Sequence, residues 1–164
     1  MPVVSRLAIR LHTVESFRSA ARERYRDGVQ LADAGRRLGA IYLLGYSVEM
    51  LLKAAYFRLR GWGDTPITVA NMNQARNRAI NVLHLTWNDR LHDLVGWVTL
   101  LINERVTLQQ PLAWRFRRTL NARVGIVYRN WREHLRYHDS IPYATELNSV
   151  RATATWLLAQ YPQL

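Results

Sequence analysis

The chain has 164 residues, enough for one domain (residues 1–164) with a sizeable core, and its 49% hydrophobic content excludes a disordered polymer. It has no cysteine, which excludes disulfides, thiolate metal sites and a cysteine nucleophile. Lys+Arg number 23 against 12 Asp+Glu, a net charge of +11, and such an excess draws a protein toward phosphate backbones.

Lys53 is the only lysine, so the charge is almost all arginine, whose planar fork suits bidentate phosphate contact. A coding sequence rich in arginine codons is the alternative source of the same excess. Residues 1–10 lack an apolar core of signal-peptide length, and the expected location is cytoplasmic.

Apolar spacing is helical nearly throughout, without the alternation of a strand, and there is no internal repeat, low-complexity tract or interdomain linker. A first helix is expected from Thr13, a good N-cap with Glu15 in the first turn, burying Val14, Phe17, Ala21, Tyr25, Gly28 and Leu31. A second runs from about 35 to 60 and stops at Gly61-Trp62-Gly63. Its face reads Leu38, Ile41, Tyr42, Gly45, Val48, Leu52, Tyr56 and Leu59, and close approach of a neighbouring helix is the reason to tolerate Gly39 and Gly45. Asp64-Thr65-Pro66 predicts a third helix over about 66–82. A fourth begins near Asn88, with Leu91, Leu94, Val95, Val98, Leu101 and Ile102 on one side. Pro111 opens a long helix to about Tyr137, with Leu112, Phe116, Leu120, Val124, Val127, Trp131 and Leu135 as its core stripe. Pro142 opens the last, where Leu147, Val150, Ala154, Leu157 and Tyr161 face inward. The fold expected is all-α, a bundle of five or six helices, with the second helix packed on the long one.

Residues 38–57 have about the length of a membrane span. Glu49 and Lys53 in its middle are costly at a bilayer centre and lie four apart in the order that favours pairing. A buried helix, with no membrane partner, is the expectation.

Three segments carry a family resemblance. Tyr42-Leu43-Leu44-Gly45-Tyr46-Ser47-Val48-Glu49-Met50-Leu51-Leu52-Lys53-Ala54 resembles the second helix of HEPN domains, Leu91-His92-Asp93-Leu94 the "HDL" opening of a later helix, and Arg129-Asn130-Trp131-Arg132-Glu133-His134 the R-N-x-x-x-H pattern of HEPN ribonucleases. They come in the family's order and cover roughly residues 13–161. The resemblance implies an up-and-down helical bundle and a homodimer. In active members paired R-N-x-x-x-H motifs cleave RNA without metal, as toxins or defence nucleases. Residues 131–137 also resemble a W-x-x-x-L-R-Y signature of HEPN-like proteins without the nuclease motif, which implies a binding module instead.

The residue types suit that chemistry. His134 can act as acid or base, Arg129 can grip phosphate oxygens and stabilise charge on the phosphorane, and Asn130 can orient either group. On a continuous helix Asn130 and His134 stack on one face. Arg129 lies about 200° from both Val127 and Trp131, away from the core. Blander roles are an ion pair of Arg129 with Glu133 and a boundary hydrogen bond for His134. Arg115, Arg118, Ala122, Gly125, Arg129, Arg132 and Arg136 follow steps of three and four along one flank, so Arg115, Arg118, Arg132 and Arg136 are candidate nucleic-acid contacts. A solvated arginine face has the same pattern. His92 and Asp93 read as first-turn capping residues rather than a metal pair. His12, His84 and His138 have no ligand-like spacing with carboxylates, and there is no phosphate loop or nucleophile elbow, so neither metal nor cofactor is expected. Trp97, Trp131 and Trp156 read as core or interface residues.

The leading expectation is a homodimeric HEPN-type, metal-independent endoribonuclease of the toxin or defence kind, with RNA as substrate and an antitoxin or other protein as a further partner. The alternative is a non-catalytic HEPN module binding nucleic acid or a protein. A third reading is a basic helical domain whose charge reflects genome composition.

Overall fold

Thr13 starts the first helix by a reciprocal cap: Ser16 N donates to the Thr13 hydroxyl at 3.1 Å, and Thr13 N donates to Ser16 Oγ at 2.7 Å. The computed structural model describes residues 12–132, 135, 137 and 140–164. Among these, six helices pack in a bundle with no strand: α1 (Val14–Asp33), α2 (Arg37–Leu59), α3 (Val69–Asn81), α4 (Leu94–Thr107), α5 (Trp114–Asn130) and α6 (Ala144–Gln160), followed by a 3₁₀ turn, Tyr161–Gln163.

The sequence of α2 is apolar nearly all round, and a helix of that kind must be covered on all sides. It is buried from Leu51 to Phe57 without a break, and α1, α6 and α4 surround it. Arg37–Leu59 is long and apolar enough to cross a membrane, but 67% of the relevant window is buried inside this protein. Gly35, at φ +75, makes the turn between α1 and α2, and these two form the most extensive helix pair. The expected packing of α2 on the long helix is corrected: α5 meets α2 only slightly and rests mainly on α4 and α6.

Further boundaries differ from the sequence reading, among them the start of the long helix, at Trp114 rather than Pro111. Ile67 pairs with His12 in an isolated antiparallel bridge, which keeps the Pro66 region extended. The third helix therefore starts later, capped by Thr68. The fourth starts at Leu94 because Asp93 is its N-cap: Oδ1 accepts from Gly96 N at 2.8 Å and Oδ2 from Asn88 N at 2.6 Å. The long helix ends at Asn130, seven residues before the expected Tyr137, with Trp131 extended at φ −128, ψ 134.

The core is otherwise where the periodicity placed it. Leu120, Val124 and Val127 are buried on α5, Trp131 just past its end, and Leu147, Val150, Ala154, Leu157 and Tyr161 at the end of the chain. Each valine or leucine among them, withdrawn from water, contributes about 1.5–3 kcal/mol.

Candidate functional site

The three segments singled out in the sequence meet in space. Glu49 and Lys53, one turn apart on α2, form a buried ion pair through Glu49 Oε1. The other oxygen, Glu49 Oε2, lies 2.9 Å from His92 Nδ1. The Lys53 ammonium sits 5.5 Å from the centre of the Trp97 ring. Tyr46, one turn before Glu49, is edge-on to both His92 and Trp131, at 6.3 and 5.2 Å between ring centres. Trp131 Nε1 donates to Tyr42 O at 3.0 Å, and its ring lies over Gly45. A carboxylate shared between an ammonium and an imidazole is fully bonded although buried, which is the condition for keeping charge in a core. It also fixes the direction of the His92 ring. Sequence reasoning gave His92 a capping role beside Asp93. Asp93 does cap, whereas His92 turns the other way, to Glu49. The signal was a lone glutamate in a long helix that is apolar nearly all round.

Arg129 and Asn130 end α5. Arg129 is exposed, Val127 and Trp131 on either side of it are buried, and it has no ion pair among the described residues. With Asn130 it lines a cleft of about 390 Å³ beside Leu38 and Ile41 of α2 and Glu146 of α6. Asn130 Nδ2 donates back to Ile126 O at 3.1 Å, closing the last helical turn. The continuous helix on which Asn130 and His134 were expected to stack ends at Asn130. His134 and Arg136 lie outside the described residues.

The arginine flank holds within α5 only. Arg115, Arg118 and Ala122 are exposed and Gly125 half-buried, on the side away from Leu120 and Val124. Arg132 falls past the helix end. Its guanidinium stacks 3.4 Å from the Tyr128 ring centre, and its Nη1 donates to Trp131 O at 2.9 Å. Burial pushes the Tyr128 phenol above its ordinary range, Asp93 adds to this, and Arg132 works against it. From Arg105 to Arg132 the chain has seven arginines and no acidic residue. On α1, by contrast, Arg18, Arg24 and Arg26 each meet a carboxylate of the same helix, at 2.7, 3.2 and 2.6 Å. Beside the flank, a groove of about 500 Å³ runs between α5 and α6, lined by Arg118, Ala122, Arg123, Ile126, Ser149 and Thr153.

A second buried carboxylate, Glu104 on α4, accepts from Arg60 Nη1 at 2.9 Å, Arg78 Nε at 2.7 Å and Arg78 Nη2 at 3.0 Å. That hydrogen bond raises the Arg78 pKa further. Among the described residues, no three His, Asp or Glu side chains are grouped so as to hold a metal ion. No protein-family model, curated protein or solved structure matches the chain.

Proposed function

We propose that the chain is a HEPN-type helical domain that holds RNA by its backbone along α5. The observation that carries this is the segregation of charge: the arginines of α1 and those around Glu104 meet carboxylates, whereas α5 carries exposed Arg115, Arg118 and Arg129 with no acidic residue on the helix. Phosphates are the partners that such a strip lacks within its own chain. Ala122 and Gly125 in its middle keep the surface low enough for a backbone to lie against it.

The test is binding of a labelled single-stranded RNA across a salt series. Neutralising three phosphates gives a slope of about −2 in log K against log salt. Arg115→Glu with Arg118→Glu should flatten that slope and weaken binding at least about tenfold, with the thermal midpoint little changed. RNA that stays unbound at low salt, or binds the reversed protein equally well, sinks the reading.

A second, sharper reading is metal-independent cleavage at a homodimer interface by Arg129, Asn130 and His134. What favours it is Arg129, unpaired among the described residues and open to a cleft that also contains Asn130. Arg129 would grip the scissile phosphate and His134 would move the proton. Cleavage in EDTA with 2′,3′-cyclic phosphate ends, lost in both Arg129→Ala and His134→Ala, is the expected result. Wild-type protein that leaves varied RNAs intact would reduce the function to binding.

A further inference from the structure

A cavity of about 740 Å³ opens between α3 and the loop leading into α4, with no α5 residue in its lining. Its size falls in the range of sites for small organic ligands. Asn73 and Arg76 of α3 form one wall, and Asp89, Arg90, Leu91 and His92 of the loop form the other.

The loop wall is rigidly built. Trp87 Nε1 donates to Arg90 O at 2.6 Å, Trp97 Nε1 to Leu91 O at 3.0 Å, and Asn88 N to Asp93 Oδ2 at 2.6 Å. The Trp87 ring packs on Trp97 with centres 5.3 Å apart, over Gly96, where a Cβ would come within 2.8 Å of it. Glu49 holds His92 from behind. A wall fixed before the ligand arrives loses little entropy when it binds.

The opposite wall holds an arginine without a counter-ion. Arg76 has no ion pair among the described residues, and its Nε is buried with no hydrogen-bond partner. Two residues on, Arg78 is equally half-buried but makes two bonds to Glu104. A guanidinium whose Nε is withdrawn from water and left unsatisfied calls for an explanation, and an absent anion supplies one. Asp89 is the one carboxylate lining this cavity, and its Oδ1 already accepts from Arg90 N at 2.7 Å. Two guanidinium groups therefore face one partly occupied carboxylate.

We propose that this cavity binds a phosphomonoester, with Arg76 and Arg90 gripping its oxygens and the Asn73 and Leu91 surfaces receiving the group attached to it. The dianion matches two forks, and the volume admits a nucleotide. The phosphate comes either from a free nucleotide or from the 5′ end of an RNA. This site stands apart from the α5 reading.

Calorimetry with adenosine 5′-monophosphate, adenosine, and a short RNA carrying either a 5′-phosphate or a 5′-hydroxyl tests the proposal. The monophosphate should bind saturably and adenosine at least about tenfold more weakly, with Arg76→Gln and Arg90→Gln each costing about tenfold or more. The ligand-free thermal midpoint of Arg76→Gln should not fall, because Arg76 has no internal partner to lose. Displacement of the nucleotide by 5′-phosphorylated but not 5′-hydroxyl RNA identifies an RNA end, and absence of displacement identifies a free nucleotide. Reversal of Arg115 and Arg118 should leave nucleotide binding intact, so failure of the α5 reading and failure of this one are separable. If no phosphomonoester binds the wild-type protein, or binding survives Arg76→Gln and vanishes only on the α5 reversal, the site is not what we propose.

Discussion

At the scale of single residues, one close approach joins the two sides of the candidate site. Gly45 has no side chain because the Trp131 indole occupies the space: a Cβ there would stand 2.1 Å from Trp131 Cδ1 and Cγ. The indole has no easy retreat, since its Nε1 is bonded to Tyr42 O and its ring is fully buried. Gly45→Ala therefore gains helix propensity but forces the ring out of place, and overpacking of this kind costs about 1–3 kcal/mol. A urea titration should show that loss, and Trp131→Leu in the same chain should recover part of it, because the two positions are coupled by contact. An unchanged midpoint in Gly45→Ala would mean that the indole does not sit where we place it. The glycine was conspicuous in the sequence as a residue needing a packing reason. Which side chain supplied the reason was not, because the partner lies 86 residues away in the chain.

At the scale of elements, two caps were legible and tertiary interruptions were not. Thr13 and Asp93 are short oxygen-bearing side chains whose capping needs only the next turn of the same helix, and both act as caps in the structure. The end of α5 obeys a different cause. Trp131 and Leu135 continue the 3.6-residue stripe, and no glycine or proline stands between Asn130 and Tyr137 to announce a stop. The backbone turns extended at Trp131 because that conformation carries the indole across to Tyr42 and Gly45, and a contact with another helix overrides local preference. The consequence for the candidate site is direct. Arg129 and Asn130 stand on a regular helix whereas Arg132 follows its end. The cationic flank of α5 was legible, since it depends on periodicity alone. The Glu49–His92 pair and the unpartnered Arg76 were not, since both depend on what other helices bring near.

For the molecule as a whole, the burial of polar rings sets its behaviour in alkali. The phenols of Tyr56, Tyr128 and Tyr161 are all pushed above their ordinary value, in each case chiefly by burial. Glu104 adds to the shift at Tyr56, while Arg58 and Arg18 oppose it at Tyr161 without reversing it. The folded chain therefore keeps these phenolic protons at a pH where the unfolded chain releases them. Stability from this source is fully present below about pH 10, the ordinary tyrosine value, and is lost as the pH rises through the folded values. Phenolate absorbance followed beside a denaturant midpoint should show these three rings ionising late and the midpoint falling in the same range. Full phenolate formation near the ordinary value, with the fold intact, would contradict the burial described.

Glu104 ties Arg60 at the end of α2 and Arg78 of α3 to α4, whereas α3 packs only lightly, its main helical neighbour being α4. A helix with few apolar contacts, fastened by one charged anchor, is a separate opening unit. Its amides should exchange with solvent deuterium well before those of α2, through an opening that leaves the other five helices in place. Glu104→Gln should quicken exchange in α3 far more than in α1. Because α3 is also one wall of the proposed phosphomonoester cavity, a bound ligand spanning the two walls would slow the same amides. The exchange rate of one light helix would then report occupancy of a site that the rest of the bundle scarcely senses.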